Sequence, residues 1–357
     1  MEEKDVYDVI IIGAGPAGLA CATELGGKGK RILVLEKNKE IGPKVCAGGV
    51  TKKVEEFGYS LSVMDRTFMS FSMYGAGSSI SVPFKEPIAA TIDRKRLGVL
   101  MFNALPHDVE VRTGVAVTAI GDGYISAGGK QYYYKYLVGA DGGMSLVRKH
   151  VGLPSTKIMI TVSCRVPLVE GKDKLGLYFD SELFGYGYGW LFPHKEFISL
   201  GCGLLSTSGI TGQFPLKERF FMWAKKLGFD IGDATIEGGI ISYDYRGHDF
   251  GKIFLVGDAG GFVSGLTGEG IYYAMVSGRD IARKILDSAY NYKEIKYILK
   301  KKRKQEYIAM IAQLCYRMGG VFLLNNFLRS VFFLMKRWDG FAKKIYEIVI
   351  YLTKLLK

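Results

Sequence analysis

Residues 7–38 read YDVIIIGAGPAGLACATELGGKGKRILVLEKN. An apolar run over 7–12 leads into Gly13-Ala14-Gly15-Pro16-Ala17-Gly18, and a helical stretch follows to about Leu25. A glycine-lysine turn then feeds a second apolar strand, 32–35, which ends in Glu36. The order strand, glycine turn, helix, strand, acid predicts a site for a dinucleotide. Gly13 permits the tight turn, Gly15 lets the backbone approach a pyrophosphate, and Gly18 lets the helix pack closely on the strand. The free N–H groups and positive dipole end of the helix face the phosphates. Glu36 stands where an acid accepts hydrogen bonds from the adenosine ribose. Ala17 within the turn and Lys37 after the acid complete this candidate set.

The rest of the chain sets limits. A length of 357 residues predicts about two domains. With 48% hydrophobic and 23% charged residues, the composition is that of an ordered globular protein. The five cysteines (21, 46, 164, 202, 315) are odd in number and form no CxxC, which predicts reduced thiols and a cytoplasmic setting. The four histidines (107, 150, 194, 248) are isolated, so no metal site is expected. The start, MEEKDVYDVIIIG, is acidic and enters a strand at once, unlike a targeting segment. The most apolar stretch, 318–335, is interrupted by Asn325, Asn326 and Arg329, so no spanning helix is expected. Much of the formal net charge of +13 lies in residues 293–357, which hold fifteen Lys/Arg against four Asp/Glu. A basic tail on a near-neutral body predicts an anionic partner surface.

Two later segments resemble motifs of FAD enzymes of the p-hydroxybenzoate hydroxylase-like group: LVGADGGMSLVR at 137–148 and IFLVGDAGGFVSGLTGEGI at 253–271. The resemblance implies that Asp258 binds the ribityl chain, and that Gly268, Gly270 and the Ile271 backbone approach the flavin ring. The helix beginning there points its positive end at the ring's N1/C2 edge, which favours the anionic reduced flavin. Asp141, Gly142, Ser145 and Arg148 match the first motif. In TIDRKRLGVLM (91–101), Arg94 opens a helix and is implied to touch the adenosine–pyrophosphate region. Val117, in VAVTAI, matches the strand whose backbone contacts the adenine.

Residues 188–203 read YGWLFPHKEFISLGCG. Alternating large side chains predict a strand with Tyr188, Trp190 and Phe192 on one face. The stretch resembles the YxWxFP-x(7–8)-GxG pattern of the geranylgeranyl reductase family through Tyr188, Trp190, Phe192, Pro193, Gly201 and Gly203. PKVCAGG at 43–49 resembles the family segment in which a cysteine faces the flavin, bringing in Cys46, Ala47 and Gly49. The longer pattern has a proline three residues before the tyrosine, where this chain has Gly185, and the region after the flavin helix is shorter than in larger members.

The family resemblance implies FAD-dependent hydrogenation of carbon–carbon double bonds in a prenyl chain of a membrane lipid precursor or prenyl quinone. NAD(P)H or ferredoxin is the implied transient electron donor. The chemistry needs the alkene held flat at near-attack distance, water excluded, and cationic character tolerated by aromatic faces. Cys46 is a candidate either for proton donor, since an ordinary thiol with a pKa of about 8.5 is mostly protonated at neutral pH, or for a positioning group that keeps the flavin's surroundings dry. The rival readings are a flavin-dependent aromatic hydroxylase of the same fold and a flavin electron carrier to quinone.

The fold class expected is α/β. A discontinuous Rossmann-like FAD-binding domain (1–60, 90–155, 245–290) accompanies a β-sheet substrate domain (61–89, 156–244) in which residues 69–84 read as a hairpin. A basic amphipathic helical segment, 291–357, follows. Its Lys/Arg clusters at 300–304, 336–337 and 343–344 stand beside aromatic and leucine runs, which suits peripheral attachment to an anionic membrane. No nucleic-acid module is recognisable.

Overall fold

A computed structural model describes residues 5–205 and 215–337. Strand β1 (Val6–Ile12), helix α1 (Pro16–Leu25) and strand β2 (Ile32–Glu36) form where the sequence predicts them. β1 lies at the centre of a largely parallel sheet, between β2 and strand Lys130–Gly139. Val109–Thr113 extends the sheet beyond β2, and Ile253–Leu255 extends it beyond Lys130–Gly139. β1 and β2 read as continuous apolar runs because helices and loops bury both faces of a parallel sheet. Helix α1 and helix Ile271–Leu286 pack side by side on one face. Gly278 is required there, because a Cβ would strike the Ala17 carbonyl.

The second sheet is mixed and seven-stranded. Its order is Glu237–Ser242, Ile158–Pro167, Phe197–Leu205, Tyr188–Pro193, Gly176–Phe179, Ser70–Gly75, Ser78–Pro83. The last two strands form the hairpin expected within 69–84. One face of this sheet packs on helix Leu216–Lys226, burying Leu191, Ile198, Leu200 and Cys202 against Phe220 and Trp223. On the other face, Tyr188 and Trp190 pack with Tyr243, Val263 and Ala47. A small sheet of Gly49–Thr51, Ala89–Thr91 and Arg66–Phe68 lies beside the cofactor-loop segments.

Residues Lys293–Arg337 are helical but broken at Gly319 and Gly320, whose φ values are −148° and +58°. The first part packs on helix Ile271–Leu286. The second part buries Phe332 and Met335 against Ile80 and Val82 of the hairpin.

Candidate active site

The nucleotide end of the site is shaped by backbone. Gly13 has φ +105°, and a Cβ there would collide with the Ala140 carbonyl. A Cβ on Gly18 would run into the Gly13 carbonyl oxygen. Gly15 differs, since nothing lies within 4 Å of where its Cβ would be. It caps α1, Pro16 follows, and no side chain satisfies the first N–H groups of the helix. Ala17 is buried in the contact with helix Ile271–Leu286. Glu36 braces the turn: one carboxylate oxygen accepts from the Ala14 N–H and the other from the Asn38 N–H, each at 2.9 Å. Lys37 is exposed beside it.

Arg94 opens helix Arg94–Asn103 after an Asp93 cap and is buried, yet its Nε has no hydrogen-bond partner. Such an orphan is costly unless a ligand pairs it. Helix Ile271–Leu286 also starts uncapped, at Gly270, beside the left-handed Gly268. Asp258 follows strand Ile253–Leu255 and accepts from Lys44 Nζ at 2.7 Å across the groove. Open space at Gly15, two helix starts with free N–H groups and an unpaired buried guanidinium nitrogen fit a bound FAD.

Asp141, too, is engaged within the protein. Asp141 accepts from the Ser145 hydroxyl at 2.5 Å and from the Leu146 and Val147 N–H groups at 2.6 and 3.2 Å. It thus braces the start of helix Leu146–His150, and burial raises its pKa. Val117 is half-buried at the edge of strand Val117–Gly121.

The ring end is shaped by side chains. Tyr188, Trp190 and Phe192 share one face, clustering with Ala47 and Val263 from the two cofactor loops. The Tyr188 hydroxyl would stand 2.5 Å from a Cβ on Gly268, and the Phe192 ring 2.6 Å from one on Gly49. The Trp190 indole lies across Gly201, and its N–H donates to Ser199 Oγ at 3.2 Å. Gly203 leaves room for the Met159 side chain. Burial, with Cys46 nearby, pushes the Tyr188 phenol far up, so it stays protonated. Cys46 is exposed, and its sulfur accepts from the Gly48 N–H at 3.4 Å. A pocket beside it is lined by Lys44, Arg94, Ser163, Arg165, His194 and Glu237, among others. Pro193 accepts from the Thr91 hydroxyl at 2.6 Å, tying this strand to the small sheet.

Sequence reading passed over three groups. His194, isolated in the sequence, is buried between Asp65 and the Ala47 carbonyl. Its position directly after Phe192-Pro193 was the available signal. Lys301 and Lys302 of cluster 300–304 do not face a membrane, since both are buried. Lys302 donates to the Tyr243 and Val263 carbonyls, each at 2.8 Å, and pairs with Glu306 at 2.8 Å. Lys301 pairs with Glu269 at 3.4 Å; burial is the largest influence and lowers its pKa, but Glu269, Lys53 and Tyr297 together raise it on balance. Neighbouring Lys53 is lowered to about 8, chiefly by burial. The first turns of the C-terminal helix therefore hold the loop that carries Gly268 and Gly270.

Hydropathy bears on the expectation that no segment spans a membrane. The C-terminal helix contains an 18-residue window of mean hydropathy 1.4, of which 11% is buried, so by length and composition it is able to cross a membrane. That helix is interrupted at Gly319 and Gly320, where the backbone leaves helical geometry. Leu314, Met318 and Phe322 are exposed on it. Clusters 336–337 and 343–344 differ: Lys336 and Arg337 are exposed, while 343–344 lie outside the described residues.

A parallel dinucleotide-binding sheet whose cofactor groove is closed by a second sheet of aromatic residues defines a two-sheet flavoenzyme. A family profile described as an NAD(P)-binding Rossmann-like domain matches residues 11–75. A structure described as geranylgeranyl bacteriochlorophyll reductase-like, from Thermoplasma acidophilum, superposes with TM-score 0.76 at 22% identity, covering 91% of each chain. A probable FAD-dependent monooxygenase from Pseudomonas aeruginosa gives TM-score 0.63 at 18% identity, covering 92% of this chain and 99% of that one. A digeranylgeranylglycerophospholipid reductase of Methanosarcina acetivorans is 30% identical over 311 residues, 77% of this chain and 74% of its own. The chain belongs to the geranylgeranyl reductase family.

Proposed function

We propose that this protein uses FAD to hydrogenate carbon–carbon double bonds in the prenyl chain of a membrane lipid precursor or prenyl quinone. The observation that carries this reading is the closure of the aromatic face on the cofactor loops, with Tyr188 at Gly268 and Phe192 at Gly49. An aromatic hydroxylase would want a polar, phenol-sized pocket at that face; Tyr188, Trp190 and Phe192 present rings there, and the polar pocket at Cys46 is lined by none of the three.

When bound and reduced, FAD supplies the hydride. The protein's own groups do the rest. Gly13, Gly15, Gly18, Glu36 and Arg94 hold the nucleotide, and Asp258 with the Gly268–Ile271 turn holds the ring end. Tyr188, Trp190 and Phe192 keep water out and lay the alkene flat, and their π faces tolerate positive charge on a tertiary carbon. The Cys46 thiol holds the proton for the second alkene carbon at Sγ. Electrons arrive transiently from NAD(P)H or ferredoxin. The enzyme works on the cytoplasmic side, peripherally attached to an anionic bilayer through Leu314, Met318 and Phe322, with Arg303, Arg317 and Arg329 among the exposed basic residues.

The test is anaerobic reduction of the FAD-loaded protein followed by addition of a geranylgeranyl lipid. Reoxidation with two hydrogens gained per double bond supports the proposal, read by mass spectrometry. Oxygen uptake stimulated by a phenol, or quinone reduction with the side chain intact, would replace it. Leu314→Gln with Phe322→Gln lowers binding to anionic vesicles. Unchanged binding removes the surface model.

A further inference from the structure

His194 sits at the tip of the hairpin joining Tyr188–Pro193 to Phe197–Leu205 and is 2% exposed. Its Nε2 lies 3.0 Å from the Ala47 carbonyl oxygen, which can only accept, so Nε2 donates. Its Nδ1 lies 3.1 Å from an Asp65 carboxylate oxygen. That carboxylate also accepts from the Arg96 guanidinium at 2.6 Å and from the Asp93 N–H at 2.7 Å. The imidazole stacks on Phe197 with centroids 4.3 Å apart and planes 13° from parallel. The Arg165 guanidinium lies 4.5 Å from the centre of the same Phe197 ring. A Cβ on Gly48 would come 2.6 Å from His194 Cε1, so the turn and the ring are fitted to each other. Residues 43–48 belong to neither helix nor strand, and beyond the Ile92 N–H that donates to the Gly48 carbonyl at 2.9 Å no ladder holds them.

We propose that His194 is a positioning residue for the reaction: it fixes the Ala47 carbonyl, and with it the turn that presents the Cys46 thiol to the alkene. Asp65 sets the ring's orientation, and Phe197 supports its face. Removing the imidazole leaves a carbonyl unpaired and frees a turn that contains two adjacent glycines, 48 and 49. The proposal rests on the role given above to Cys46.

The experiment uses the full, FAD-loaded chain with Cys315→Ser, because Cys21, Cys164 and Cys202 are buried. His194→Ala is compared with His194→Gln, whose amide is able to donate to the Ala47 carbonyl. For His194→Ala, hydrogen exchange in the 44–51 segment and iodoacetamide alkylation of Cys46 each rise about tenfold. In the same variant kcat falls about tenfold while KM stays within about twofold. His194→Gln recovers most of each change. If a folded, FAD-loaded His194→Ala matches the parent in exchange and alkylation, or if Gln behaves like Ala, the proposal is overturned. Should His194→Ala fail to take up FAD, Asp65→Asn is read the same way: a smaller rise in both rates supports the role, and no rise overturns it. Cys46→Ala separates the two readings, since unchanged kcat there refutes the thiol's role while exchange in the turn still judges His194.

Discussion

The two ends of the groove both depend on glycine, for different reasons. At the nucleotide end, Gly13 and Gly18 are compelled by backbone: the atoms a Cβ would meet are the carbonyls of Ala140 and Gly13. At the ring end, Gly49 and Gly201 are compelled by the side chains of Phe192 and Trp190. A backbone constraint is absolute for any member of the fold, because no rotamer relieves it. A side-chain constraint holds only while the facing aromatic is present. The first kind encodes a nucleotide fold, and the second encodes a particular greasy wall.

This contrast predicts a ranking. Gly18→Ala has the largest effect, with loss of bound FAD and a cost of about 3 kcal/mol or more in urea unfolding, because the Gly13 carbonyl turn must be driven off the helix. A Gly18→Ala protein with normal FAD content would break the contrast. Cys46→Ala, between the two ends, slows alkene reduction about 100-fold while FAD affinity stays within about threefold, read by single-turnover kinetics and fluorescence titration. Gly201→Ala costs about 1–3 kcal/mol through overpacking against the indole, and Trp190→Phe added to it recovers part of that loss. Strict additivity in the double-mutant cycle would show that the ring does not impose the glycine. Gly15→Ala is mildest for the fold, within about 0.5 kcal/mol without FAD, because its Cβ points into open space. Its penalty appears only with FAD present, as a weaker gain in Tm on adding the cofactor. An apo-protein as damaged as that of Gly18→Ala would contradict the open space at that turn.

Much of this was legible in the sequence where causes are local. The β1–α1–β2 unit and Glu36 could be read because turn sterics and helix-end N–H groups act within about thirty residues. The strand character and shared face of Tyr188, Trp190 and Phe192 followed from period-2 alternation. The place of His194 after Phe192-Pro193 was legible but its partners were not, since Asp65 lies 129 and Ala47 147 residues away in the chain. The burial of Lys301 and Lys302 was not legible either. Periodicity assigns lysine to solvent, and only tertiary structure reveals the carbonyls of Tyr243 and Val263 waiting for an ammonium. Asp141 shows a motif residue whose carboxylate is spent on its own helix start.

Those two lysines bear on how the chain can be dissected. A deletion ending before Lys293 would strip away the apolar surface and, in the same stroke, the ammonium groups that brace the Val263–Gly270 loop. Lost vesicle binding and lost yellow colour would then arrive together and be read as one dependence. Cutting after Glu306 keeps the brace and removes the greasy half, so that attachment and cofactor retention can be scored apart.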